Sequence, residues 1–567
     1  MTLKKKWNNS AALRLLGSAL LNALVLACML LIVAPGFESN DDQTLAAFVD
    51  GQMAVKDAHI PYMNYVLTNL LKAIYTAGGD SLPWFTLLQY ALLFAGFTAL
   101  GWIFFERLRA WQGALVSIAV LVLIGVDSYT IISYTKTAAV CTVCGLALML
   151  HAMEFMPRGR RALPLTAGAV LTLFGVMLRF MEFLPCAALM SVLGLRYIWG
   201  VLAGKERAKK AGEIVRYILP FAAVLLLAAG LYAFDGAVWS RGDWGVYRSF
   251  DGSRIALTDY GVPDYGDMPE VYDGLGLTEN AAELLGGGNY YDPDVFTKET
   301  MDALCEARDE LRPAPGLGEC LGRLLDTCAL RFFEHPPVYL LLLVFMLWLA
   351  CGEHDLRGWF TFAAGLGLFC LFYIYLIRRG RYLIDRVDMG LFMAVITVML
   401  WTLDKKRFDN ERVLGAAVLA GALFLSFWYS RSGYRFGKYS VLEDKSPYKQ
   451  AVDTLLADGE HLYLCKVDPL DKAIYSAFET APDGYWDRII LMGGWLTQHP
   501  HVAATLSDYG VVNPYRDAVD NERVYIIDDD IALTVRYINE YYDPDASAEL
   551  VEPLSEETGL DIYRIVK

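Results

Sequence analysis

Residues 15–43 read "LLGSALLNALVLACMLLIVAPGFESNDDQ": twenty mostly apolar positions, a Pro-Gly turn, then three carboxylates, Glu38, Asp41 and Asp42. A run of that length crosses a hydrocarbon core of about 30 Å as a helix, so the acids emerge at a membrane surface. The basic start and small residues near its end also suit a secretory signal, but the apolar stretch exceeds a typical signal core and is read as an anchor. Working outward, the chain has 567 residues, 55% of them hydrophobic and 13% aromatic, with a mean hydropathy of +0.34 despite a net charge of −15. A soluble acidic protein does not combine those values.

Apolar windows of similar length recur near 12–34, 83–104, 111–127, 135–155, 162–178, 183–202, 214–234, 337–352, 359–377, 387–403 and 413–430. They predict a polytopic α-helical membrane protein with about 11 transmembrane helices. Basic residues in short loops stay cytoplasmic. "KKK" at 4–6, "ERLR" at 106–109, "PRGRR" at 157–161, "GKERAKK" at 204–210 and "DKKRFDNER" at 404–412 all fall on one side if the spans alternate. The amino terminus is then cytoplasmic and the carboxyl terminus extracytoplasmic. The sizeable hydrophilic segments 35–82, 235–334 and 431–567 all lie outside the cell membrane. Segment 235–334 carries 20 acids against 8 bases, and 431–567 carries 25 against 13. That balance excludes nucleic acid as a partner, since phosphate backbones need the opposite sign. External Asn-X-Ser/Thr acceptors are absent, in keeping with a bacterial source.

One external loop breaks the charge rule. "LIRRGRYLIDR" at 376–386 places Arg378, Arg379, Arg381 and Arg386 where basic residues are normally sparse. The planar guanidinium matches phosphate oxygens bidentately, so the cluster suggests a phosphate held at headgroup depth. Ordinary anionic lipid, or pairing with Asp385 and Asp388, would satisfy the same arginines. Behind "ESNDDQ", the stretch to residue 78 has helical spacing interrupted at Asp57–Pro61 and predicts one or two helices on the outer surface. Asn40 or Asp41 then has a plain use as an N-cap. Read with the arginines, the acids have a chemical one. A carboxylate there can act as general base on an acceptor hydroxyl, and arginines can stabilise a departing phosphate. Activated nucleotide sugars are cytoplasmic, so an external transfer calls for a donor already carried across on a polyprenyl lipid.

With these residues in place, the layout of 1–430 resembles the polytopic glycosyltransferases of the GT-C type, which include protein mannosyltransferases and the aminoarabinose transferases that modify lipid A. The points of resemblance are adjacent acids opening the first external loop, helices behind them, about eleven spans and basic residues in external loops. The resemblance implies a GT-C-like transmembrane domain over 1–430, an extracytoplasmic α/β domain over 431–567, and inverting transfer from a polyprenyl-phosphate-linked sugar to a cell-envelope acceptor. It also implies that Asp41 or Asp42 is the catalytic base or helps bind a metal; the family typically has Asp-Glu where this chain has Asp-Asp. A divalent cation, with Glu38, Asp41 and Asp42 as candidate ligands, is left open. Membrane lipid and the lipid-linked donor are the expected partners.

Secondary candidates are polar residues at membrane depth, which are costly to place there. Lys136, at the outer end of span four, either approaches a donor phosphate or snorkels to the interface. Arg179 and Glu182, three apart between spans five and six, suit a mutual helix pair or a ligand role. His59 and Asn64 either orient a substrate or form a turn before a helix. "CTVC" at 141–144 lies within an apolar span and reads as structural; Cys305, Cys320, Cys328 and Cys465 are external and available for a disulfide. In 235–334, "GGG" at 286–288 lacks the strand and Gly-Lys-Ser/Thr ending of a phosphate loop and reads as a turn; Thr297 is expected to cap a helix. After residue 440 alternating helices and strands, "DKAIYSAF" at 471–478 among them, predict a small α/β domain with a largely parallel sheet. "HPH" at 499–501 and "DDD" at 528–530 read as a turn and a cap rather than metal sites.

Two other classes compete. A transporter or flippase of a lipid-linked glycan, or a non-catalytic envelope binding protein, would tolerate Asn at both Asp41 and Asp42, whereas transfer chemistry would not.

Overall fold

Helix Ala11–Ile32 illustrates how the membrane part is built. Leu20, Leu24 and Leu31 face outward, while Ser18 and Asn22 are buried. Ser18 Oγ donates to the carbonyl of Thr98 (2.8 Å), and Asn22 Nδ2 to that of Phe94 (3.0 Å). Apolar surface is left for lipid, and side-chain hydrogen bonds join the helices where no water competes. The computed structural model describes residues 10–53, 55–204, 210–312, 315–331, 335–381, 385–431, 446–467, 470 and 476–567.

Every predicted span falls on a helix. Seven are long and apolar enough to cross a membrane: Ala11–Ile32, Trp84–Arg107, Ala110–Thr130, Tyr134–Phe155, Phe180–Ala203, Lys210–Trp239 and Leu356–Arg378. Ala162–Leu178, Pro336–Cys351 and Arg412–Trp428 are shorter apolar helices, and Asp385–Trp401 completes the set with three charges in its first turn. Helix Tyr134–Phe155 is buried almost throughout and forms the centre of the bundle.

Polar segments sort to the two ends. At one end the basic loops meet: Arg109 pairs with Asp409 (2.8 Å), Arg14 with Glu106 (2.8 Å), and Arg196 with Glu353. "KKK" at 4–6 and residues 205–209 lie outside the described residues. At the other end the segments 35–82, 235–334 and the carboxyl-terminal part interlock in one layer. Tyr291 N–H donates to Met492 O (2.8 Å), Val467 N–H to Asn289 Oδ1 (2.8 Å), and Asn513 Nδ2 to Asp292 Oδ1 (2.8 Å).

The carboxyl-terminal part has β3 (Leu462–Cys465), β4 (Ile489–Leu491), β5 (Val524–Asp528), β6 (Ser547–Ser555) and β7 (Leu560–Val566) in the order β4-β3-β5-β7-β6. β4, β3 and β5 are parallel, whereas β7 and β6 form an antiparallel hairpin on β5. The expected largely parallel sheet is therefore mixed, because the turn at 556–559 closes a hairpin instead of a helical crossover. Residues 471–475 of the predicted "DKAIYSAF" element lie outside the described residues.

Other expectations resolve locally. Segment 235–334 is built of helices joined by turns in its described residues, and Thr297 caps Lys298–Leu311 by accepting from Thr300 N–H (3.2 Å). Cys305 and Cys320 are free thiols, and no disulfide joins two described cysteines; the Cys328 side chain lies outside the described set. Cys141 and Cys144 are buried thiols. "HPH" begins helix Pro500–Asp508, with His499 accepting from His501 N–H. In "DDD", Asp528 is fully buried against Lys466 and Thr534. The "GGG" glycines close helix Glu279–Gly286 as a turn. Helix Asn40–Asp50, expected on the outer surface, is instead largely buried between the bundle and the carboxyl-terminal layer.

Candidate active site

A two-residue parallel pairing sets the position of the acids. β1 (Gly36–Phe37) lies beside β2 (Ile131–Ile132), and Glu38 N–H continues the ladder to Ile132 O at 2.9 Å. The chain leaving the first span is thereby tied to the chain entering helix Tyr134–Phe155. Two acids follow in the first turn of helix Asn40–Asp50, where a helix dipole favours them. Its N-cap position is Ser39, without a side-chain cap bond. The reading of Asn40 or Asp41 as the N-cap therefore gives way, and both carboxylates reach other elements.

Asp42 is fully buried. Its Oδ1 accepts from the backbone N–H of Tyr134 (2.7 Å) and from Gln89 Nε2 (3.5 Å), so it satisfies one of the orphan donors at that helix start. Its Oδ2 has no partner among the described residues. Burial pushes its pKa up to about 7, against the lowering effects of the Tyr134 N–H and Arg386.

Asp41 points the other way. Oδ2 is 3.0 Å from Arg386 Nη2, and Oδ1 accepts from Trp495 Nε1–H at 3.1 Å. The two paired side chains remain 18% and 16% exposed, so the pair is reachable. Arg386 Nε–H has no acceptor among the described residues. Beside them Arg179 Nη1 donates to Tyr134 Oη (2.5 Å) and Thr135 Oγ1 (2.8 Å), with its guanidinium 5.2 Å from the Tyr134 ring centre. Tyr62, at φ +69° a strained position for a non-glycine residue, packs edge-on against Trp495 at 5.9 Å. Its hydroxyl accepts from Arg254 Nη2 (3.1 Å), which is paired with Asp251 (2.6 Å). Burial raises the Tyr62 phenol well above its usual range, with Asp251 adding to the effect.

Several predicted site residues are placed elsewhere. Lys136 does not snorkel: it is 1% exposed and clamped between Glu38 (2.6 Å) and Asp127 (2.8 Å), because two buried carboxylates offset the cost of burying the ammonium. Arg179 and Glu182 do not pair; the helix restarts between them, and Glu182 is buried against Cys186 and beside Gly390. Asn64 is an N-cap, accepting from Val66 N–H (3.1 Å) and donating to Leu231 O (2.9 Å). His59 stacks on Trp244 at 4.4 Å and shares Asp57 (2.9 Å) with His501 (2.8 Å). Burial pushes the Asp57 carboxyl up, but the hydrogen bonds from His501 and His59 outweigh it and hold it well below the usual carboxylate range. Arg378 is exposed. Arg379 and Arg381 lie over the Tyr260 ring (5.8 and 6.0 Å), Arg381 also reaching Asp259 at 3.4 Å. Of the four loop arginines, Arg386 is the one bonded to Asp41.

Glu38, Asp41 and Asp42 face three different partners, and no group of three ligands suited to a metal ion is found among the described residues. Trp495, Tyr62 and Tyr134 were not singled out by sequence reasoning. The sequence offers one signal for them: an aromatic following two glycines at 493–494, directly after a strand.

No protein-family model and no curated protein matches the chain. Among solved structures, the crystal structure of ArnT from Cupriavidus metallidurans bound to undecaprenyl phosphate aligns over 96% of this chain and 97% of its own, at 13% identity and a TM-score of 0.36. At that identity and score the likeness carries no assignment of residues or activity to this chain.

Proposed function

We propose that the protein is a membrane glycosyltransferase of the GT-C type, moving a sugar from a polyprenyl-phosphate donor to an envelope acceptor on the outer face. Residues 1–430 are the transferase module and 431–567 an extracytoplasmic domain. The observation that carries this reading is the reachable Asp41–Arg386 pair, 3.0 Å apart, where the bundle meets the polar layer. A carboxylate and a guanidinium side by side supply the two groups the reaction asks for. Asp41 takes the proton of the acceptor hydroxyl as its oxygen attacks the sugar's anomeric carbon. The bond from that carbon to the phosphate oxygen breaks, and Arg386, with Arg179 nearby, stabilises the negative charge on the leaving phosphate. A single displacement of this kind inverts the anomeric centre.

The two acids divide the work. Asp41 retains free lone pairs, since an ionised carboxylate has about four acceptor sites and two are used. Asp42 has no exposed surface and serves the local fold. Arg378, Arg379 and Arg381 line the approach for lipid headgroups.

Mass spectrometry of lipids that co-purify with the intact protein tests the reading. A polyprenyl phosphate or its glycosylated form, present in wild type and lost in Arg386→Ala, is the expected result. Bulk phospholipid alone in both samples would overturn it and favour transport or binding.

A further inference from the structure

The loop after β4 reads "LMGGWL" at 491–496, and its geometry ties the carboxyl-terminal sheet to Asp41. Met492 is held on both sides: its N–H donates to Cys465 O (2.7 Å) and its carbonyl accepts from Tyr291 N–H (2.8 Å). A Cβ on Gly493 would lie 1.7 Å from Gly288 O, so only glycine permits this approach of two backbones. Gly494 has φ +71°, in the left-handed region that glycine enters without strain. Two consecutive glycines thus turn the chain at the carboxyl end of a parallel strand, the edge where α/β sheets present functional groups. What emerges is Trp495. Its carbonyl accepts from Tyr247 Oη (2.8 Å), its ring meets Phe48 (6.1 Å) and Tyr62 (5.9 Å), and its Nε1–H donates to Asp41 Oδ1 (3.1 Å).

We propose that Trp495 is a positioning residue that fixes the Asp41 carboxylate against Arg386, so that the carboxyl-terminal domain completes the catalytic unit. This rests on the transferase reading of Asp41. With Arg386 on Oδ2 and the indole on Oδ1, the carboxylate cannot rotate about its Cβ–Cγ bond, and its remaining lone pairs keep one direction. A base held in one geometry is worth far more than one that turns, a misplacement of about 1 Å costing roughly 100-fold in rate.

Two readouts on the full-length protein in detergent separate the proposal from that reading. The first is the indole ¹H–¹⁵N resonance of Trp495, assigned by its loss in Trp495→Phe. It should shift in Asp41→Asn, where the carboxylate becomes an amide. The second is the ratio of glycosylated to free polyprenyl phosphate in co-purified lipid. Trp495→Phe keeps a smaller aromatic ring between Phe48 and Tyr62 and removes the N–H, so total bound lipid should be unchanged while the ratio rises roughly 10-fold or more through slower transfer. A merely structural tryptophan would alter bound lipid and thermal stability together and leave the ratio alone. An unmoved resonance, or a wild-type ratio in Trp495→Phe with lipid retained, overturns the positioning role and leaves the transferase reading standing. No polyprenyl lipid in any sample overturns the reading, and the positioning role with it.

Discussion

Asp41 and Asp42 are adjacent in sequence and opposite in circumstance, and the difference is measurable. The folded chain keeps a proton on Asp42 up to about pH 7, whereas the unfolded chain releases it near the ordinary value of 3.8. Between those values rising pH therefore lowers stability, by up to roughly 4 kcal/mol for a shift of this size. Asn at position 42 keeps an oxygen for the Tyr134 N–H and has no proton to lose. Asp42→Asn should gain on wild type as pH rises from 5 to 8, read as the difference in thermal midpoint in detergent, and should retain activity; Asp41→Asn should lose activity with little change in midpoint. Lys136 gives a contrasting prediction. Lys136→Met takes the ammonium away from two buried carboxylates, Glu38 and Asp127, and should cost about 3–5 kcal/mol in thermal denaturation, while exposed Arg378→Ala should stay within about 0.5 kcal/mol. The sequence made the acids and Arg386 legible, because each breaks a pattern: charge after a span, or arginine on the wrong side. It could not show that Lys136 is neutralised by Glu38 and Asp127, since the first lies far along the chain and the second across the break between two helices.

At the scale of elements, short connectors decide what the long helices can do. The two-residue β1–β2 pairing and the loop after β4 bring residues 41, 134, 386 and 495 together, and each depends on backbone geometry more than on side-chain type. Gly493→Ala should force β4 and the Gly288 turn apart, because both clashing atoms belong to backbone that cannot rotate away. The expected outcome is a loss of about 1–3 kcal/mol and faster cleavage after residue 493 in limited proteolysis, with Gly266→Ala as a control at a glycine whose Cβ meets nothing. Helices were readable from apolar runs of the right length, and the Thr297 cap from a hydroxyl before a polar turn. The mixed sheet was not, since β6 and β7 differ from a strand-helix-strand unit only in the short turn between them. Nor was the burial of helix Asn40–Asp50, whose amphipathic pattern cannot say that its polar face meets another domain instead of water.

For the whole molecule, the distribution of charge and the packing divide the polar segments into the same two groups by separate routes. The loops joined by Arg109–Asp409 and Arg14–Glu106 gather at one end, and their basic excess is the ground for proposing that this end is cytoplasmic. The segments 35–82, 235–334 and 446–567 interlock at the other end through bonds such as Asp57–His501 (2.8 Å) and Tyr291 N–H to Met492 O (2.8 Å). Labelling with a membrane-impermeant maleimide tests the assignment. Asp545→Cys, exposed in the polar layer, should react in intact cells; Arg158→Cys, exposed in the short loop 158–160, should react only after permeabilisation, each read above the native-cysteine background. The reverse pattern would put Asp41 and Arg386 in the cytoplasm, where soluble nucleotide sugars are at hand. A lipid-carried donor would then be unnecessary, because it is called for only where the site lies across the membrane from where activated sugars are made.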